Sequence, residues 1–96
     1  MRSIYRPEAA TEVEHAFDWY EQQRPGLGAE FLAALRRAEL KAQEAPRAYR
    51  IVRRDTRRIL LSRFPYQLLY RIVDDTIAVV ACFHGRRSPK RWKSRR

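Results

Sequence analysis

Leu68-Leu69-Tyr70-Arg71-Ile72-Val73, then Asp74-Asp75-Thr76, then Ile77-Ala78-Val79-Val80-Ala81-Cys82-Phe83 is the stretch that decides the fold. Both apolar runs are rich in β-branched and aromatic residues, the composition of strands. The acidic pair between them suits a tight turn, because Asp tolerates left-handed backbone and bonds its own main chain. Upstream, Ile51-Val52 and Ile59–Leu61 repeat the strand composition around Asp55-Thr56. Phe64-Pro65-Tyr66 is a further break, since Pro65 cannot donate to a central ladder. The pattern after Pro46 therefore predicts an antiparallel meander of three or four short strands.

Before Pro46 the period is helical. Ala9, Val13, Ala16, Phe17 and Tyr20 fall on one helical face. Pro7 fits a first turn and Glu8 and Glu12 suit the positive end of the dipole. Pro25-Gly26 stops this helix near Gln23. Leu27, Phe31, Ala34, Leu35, Ala38 and Ala42 carry a second stripe to about Glu44, and a turn this short makes the two helices antiparallel neighbours. Ser3–Arg6 reads as a short strand ahead of them. The expected fold is α+β, β-α-α-β-β-β, an antiparallel sheet with the α-hairpin packed on one face. The opposite face is expected to be uncovered, with Arg53, Arg58, Arg63, Gln67, Arg71 and His84 sharing it according to register.

Ninety-six residues suit one domain spanning 1–96 with a basic tail from about residue 88. The formal charge of +10 is uneven. Acids outnumber bases eight to four between Glu8 and Glu44, whereas Arg47 to Arg63 holds seven arginines against Asp55 alone. The second half thus points to an acidic or polyanionic partner, and its preference for Arg over Lys favours bidentate contacts to carboxylate or phosphate. One cysteine, Cys82, excludes an internal disulfide and reads as a small buried hydrophobe. Together with two histidines it cannot form a structural zinc set, so no metal or cofactor is expected. No apolar run approaches a membrane span and the first residues lack a signal-peptide core, which points to a reducing cytoplasm.

The motif order completes the reading. Pro7-Glu8-Ala9 is followed by Tyr20-Glu21, then Pro25-Gly26-Leu27-Gly28 with Phe31, then Arg57-Arg58. Phe64-Pro65-Tyr66-x-x-x-Tyr70 and His84-x-Arg86-Arg87-x-Pro89-x-x-Trp92-x-x-Arg95 close the chain. Over nearly its whole length the chain resembles the RelE/ParE superfamily of bacterial type II toxins, nearer to the ParE-like and plasmid-stabilisation branches. The resemblance implies a growth-inhibiting toxin neutralised by a cognate antitoxin through an acidic or amphipathic segment. It implies one of two targets: DNA gyrase, for ParE-like members, or the ribosome and its mRNA, for RelE-like endonucleases.

For RNA cleavage the candidate catalytic residues are Arg63, His84 and Arg87, a phosphate clamp with one imidazole of the type used for proton transfer. That set is thin: no lysine lies between Lys41 and Lys90, and the last aromatic is Trp92, which is neither acid nor base. The gyrase reading is therefore placed first and the endonuclease second. A generic basic nucleic-acid-binding module is the third. Candidate partner-binding residues are Arg53, Arg58, Tyr70, Arg71, Arg86, Arg91 and Trp92. His15 reads as a surface residue, and Tyr66 and Tyr70 as core residues with edge hydroxyls.

Overall fold

A computed structural model of the chain describes residues 1–85, 93 and 95. Its elements run β1 (Arg2–Tyr5), α1 (Pro7–Gln23), α2 (Leu27–Glu44), β2 (Ile51–Arg53), β3 (Thr56–Leu60), β4 (Tyr66–Val73) and β5 (Thr76–His84). The α+β order is the one expected, with four strands after Pro46. Pro7 opens α1 with no side-chain cap, and Glu8 occupies its first turn.

The α1–α2 turn is fixed by Glu21. Its carboxylate accepts from the amides of Gly26, at 3.0 and 3.2 Å, and Gly28, at 3.0 Å. A residue of the first helix thus caps the second, whose own cap position is Gly26 at φ 89°. A Cβ on Gly28 would come to 2.7 Å from the Phe17 ring, so the helices approach as closely as glycine permits.

The sheet order is β1-β5-β4-β3-β2. The pairs from β2 to β5 are antiparallel. β1 is the exception: it lies parallel to β5, pairing Arg2 with Thr76 through Tyr5 with Val79. The sheet is therefore mostly antiparallel rather than wholly so, because the chain leaves β1 directly into α1 and returns only after the hairpin has crossed the sheet. The Asp74-Asp75 turn is as expected, with Asp74 at φ 54°. The first hairpin turns one residue earlier than expected: Arg54 takes the left-handed backbone at φ 51°, and Thr56 already belongs to β3.

Phe31, Ala34, Leu35, Ala38, Ile59, Leu68, Ile77 and Val79 form the core beneath the hairpin. Tyr20, Phe31, Phe64 and Tyr66 add an aromatic cluster with ring centroids 4.9 to 5.9 Å apart, where edge-to-face geometry adds to area burial. Tyr5 donates to Glu39 at 2.8 Å, and Gln43 donates to Ser3 at 2.6 Å. These bonds tie β1 to α2.

The far face of the sheet is not bare. Leu69, Val80, Ala81 and Phe83 form a second buried cluster there with Val52 against it. A bulge between Leu69 and Tyr70 on one side, and Ala81 and Val79 on the other, explains the unusual pair Val80 and Ala81. It inserts an extra residue, so two successive side chains serve one face. Arg53, Arg58 and Arg71 are half-buried beside this cluster, their aliphatic stems suited to lie on apolar surface with the charged ends outward.

Candidate functional site

Register decides which expected site residues meet. Arg58 pairs with Leu69 and so shares the outer face with Arg71 and Gln67. His84 pairs with Tyr66 and lies on the helix side. Arg63 is on neither face: it sits in the β3–β4 loop at φ 73°, donating to Glu30 of α2 at 3.1 Å. Glu30 also accepts from Arg24 at 3.0 Å, and these two cations hold its carboxyl below the usual range. Arg63 is thus engaged with α2, while the backbone beside it meets the end of β5 through the Gly85 amide, which donates to the Pro65 carbonyl at 2.8 Å. Arg86, Arg87, Arg91 and Trp92 lie outside the described residues.

Two partner-binding candidates are occupied within the chain. Tyr70 is 0% exposed and donates its hydroxyl to the Pro46 carbonyl at 2.7 Å. Burial raises its pKa. It is a strut beneath the α2–β2 connection, with no surface for a partner, because the register that buries Leu68 also turns Tyr70 inward. Arg57 braces the same connection, donating to the carbonyls of Arg47 and Tyr49 at 3.0 and 2.8 Å. Arg71 makes a bidentate pair with Asp55, both bonds 2.9 Å. Arg53 and Arg58 remain on the outer face.

A sizeable groove lies elsewhere, between α1 and the end of β5. It encloses about 680 Å³ and is lined by Glu12, His15, Trp19 and Tyr20 of α1, by Pro65 and Tyr66, and by Cys82 to His84. Glu12, His15, Trp19 and their neighbours share a helical face at three- and four-residue spacing. Trp19 is 56% exposed, packed edge-on against Tyr20 at 5.1 Å. Tyr66 and His84 meet edge-on at 5.5 Å across the β4–β5 pair.

Burial sets the protonation of two groove side chains. Burial, then the nearby Glu12 carboxylate, pushes the Cys82 thiol up to about 12, so the nucleophilic thiolate is absent at neutral pH. Burial, then Tyr66, raises the Tyr20 phenol, leaving a neutral hydroxyl. Glu12 is engaged twice: it accepts from the Cys82 amide at 3.0 Å and from Arg95 at 2.9 and 3.2 Å. Among the described residues no cluster of His, Cys, Asp and Glu could hold a metal. The sequence reading missed Glu12, Trp19 and Tyr20 as groove residues. The available signal was Trp19, a large aromatic lying outside the apolar stripe of its helix.

Residues 4–89 match the ParE toxin of the type II toxin–antitoxin system parDE. The chain belongs to the ParE toxin family. Solved structures similar to this ParE-family chain agree with its fold. Against the chromosomal ParDE system of P. aeruginosa the TM-score is 0.73 at 17% identity, covering 88% of this chain and 95% of that one. Against the intact E. coli RelBE toxin–antitoxin complex it is 0.66 at 20% identity, covering 90% and 98%. The isolated E. coli RelE toxin gives 0.67 at 20% identity, covering 94% and 89%. No curated protein matches the ParE-family sequence. Among its described residues no helix is long and apolar enough to cross a membrane.

Proposed function

We propose that this ParE-family chain is a growth-inhibiting, cytoplasmic toxin that acts by binding DNA gyrase and is neutralised by a cognate antitoxin. The observation that carries the choice of target is the engagement of Arg63, the described guanidinium of the candidate nuclease set, with Glu30 of α2. Arg63 is paired with Glu30 at the mouth of α2, while His84 sits edge-on to Tyr66 beside a groove that Arg63 does not line. A guanidinium already paired with a carboxylate is less available to a phosphate, whereas RNA cleavage needs charge stabilisation and proton transfer at one centre. The exposed Trp19 and the half-buried arginines suit protein contact, where Trp and Arg are the residue types that concentrate binding energy.

The test is a supercoiling and cleavage assay with purified gyrase and chain. Inhibition at micromolar concentration supports the reading, and gyrase left untouched defeats it. The second reading, a ribosome-dependent mRNA endonuclease, is supported by the likeness to the RelE fold. It requires new mRNA cut sites in cells expressing the chain, lost in His84→Ala. A basic nucleic-acid module, third, requires bare-duplex binding that weakens steeply with salt.

A further inference from the structure

β1 covers only the first half of the β5 edge, from Thr76 to Val79, and the chain turns into α1 once the Arg6 amide has donated to Val79 O at 2.9 Å. From Val80 to His84 no strand lies on that side among the described residues. Side chains occupy it instead. The Glu12 carboxylate accepts from Cys82 N–H, as a neighbouring strand's carbonyl would, and the Arg95 guanidinium donates to Val80 O at 3.1 Å, as a neighbouring amide would. Glu12 and Arg95 bond each other as well, and both are largely buried, at 18% and 16% side-chain exposure. The 680 Å³ groove runs along this same stretch, walled by Ala16, Trp19, Tyr20 and Tyr66.

The geometry points to a strand-addition site along Val80–His84, held closed in the free chain by the Glu12–Arg95 pair and opened by an extended, acidic segment of the neutralising partner. This rests on the toxin–antitoxin reading for the source of the segment. The segment's backbone replaces the two side-chain groups, giving a carbonyl to Cys82 N–H and an amide to Val80 O. Its alternate apolar side chains enter the aromatic groove, following the two-residue period of a strand. Its carboxylates take over Arg95 and meet a chain of net charge +10. Glu12 and Arg95 also blunt an edge that would otherwise pair with any strand, which makes the site selective for a segment able to displace them.

The probe is acetyl-Glu-Leu-Glu-Val-Glu-Leu-amide, titrated into isotope-labelled full-length chain. Binding with Kd below about 100 µM is the expected result, with shifts at the Cys82 and His84 amides and the Trp19 indole. The same peptide methylated at alternate backbone nitrogens does not bind. Glu12→Ala removes the competing acceptor and tightens binding about fivefold. If that variant does not fold, Glu12→Gln, which keeps the shape and drops the charge, tightens it about twofold. Equal affinity of the methylated peptide, shifts at Arg58 and Arg71 instead, or unchanged affinity in the Glu12 variants overturns the proposal. A chain that halts growth and is neutralised normally, yet ignores the peptide, defeats this inference alone; a chain that never halts growth defeats the toxin reading.

Discussion

Glu39, buried on α2, accepts from the Tyr5 hydroxyl of β1 at 2.8 Å across 34 positions of sequence. Arg36 donates to the second carboxylate oxygen at 2.6 Å. One buried charge therefore joins the edge strand to the hairpin. Tyr5→Phe removes one donor while Arg36 continues to neutralise Glu39, and it is expected to cost about 1–2 kcal/mol. Glu39→Leu strands the Tyr5 hydroxyl but also removes a buried charge, so its cost should be smaller than the single truncation suggests. Urea denaturation of the two variants checks the order.

Alkaline pH should unfold the chain through its tyrosines. Burial raises the phenols of Tyr5, Tyr20 and Tyr70, with Glu39 adding to the effect at Tyr5. A raised folded-state pKa means that the neutral form is favoured on folding. Their contribution is full below the ordinary phenol pKa of about 10 and is lost as pH climbs above it toward the folded values. Phenolate absorbance at high pH should therefore rise in step with loss of helix. Tyr70→Phe should make the alkaline transition less steep.

Gly28→Ala should destabilise by about 1–3 kcal/mol. The added Cβ meets Phe17 ring atoms at 2.7 and 2.8 Å and the Glu21 carboxylate at 2.9 Å. Both are parts of the turn that holds α1 against α2, so neither can retreat without loosening the cap. Gly26→Ala has open space around it and suffers only from its left-handed backbone, about 1 kcal/mol. Thermal melts of both variants should show the larger drop at Gly28.

Cys82 should resist alkylation. With its thiol at about 12 and its side chain buried, iodoacetamide at pH 8 should leave the folded chain unmodified and label it only in denaturant. Rapid labelling of native chain would contradict this placement.

Arg63→Ala and His84→Ala should each leave growth inhibition within about threefold of the parent if gyrase is the target, since inhibition by binding asks no proton transfer of either side chain. Trp19→Ala should weaken the contact with the neutralising partner by about tenfold or more, the behaviour of an exposed aromatic anchor. Plating efficiency with and without the partner reads both.

The sequence shows the α-hairpin clearly because proline and glycine punctuate it: Pro7, Pro25-Gly26 and Pro46 place the boundaries of α1 and α2 to within a residue or two. The strands are legible as apolar runs between turn residues. Register is not, because it depends on the bulge at Val80 and Ala81, and nothing in Ile77–Phe83 distinguishes the extra residue. That one insertion decides that two consecutive side chains serve the outer face. For Tyr70, the hydrogen bond to Pro46 that makes it structural spans 24 positions and has no local signature. The groove escaped for the same reason, since Glu12 and Cys82 stand 70 positions apart. Of the residues left to register, Arg58, Gln67 and Arg71 share the outer face, whereas His84 faces the helices.

The parallel pairing of β1 with β5 also sets when the molecule can exist. Arg2 waits for Thr76 and Tyr5 waits for Val79, so the first strand made by the ribosome has no partner until the last has emerged. Contacts of such long sequence separation form late and close large loops. The local contacts of the α-hairpin can therefore form while the sheet still lacks its β1–β5 pairing, which waits for the whole stretch between Tyr5 and Thr76 to be closed into a loop.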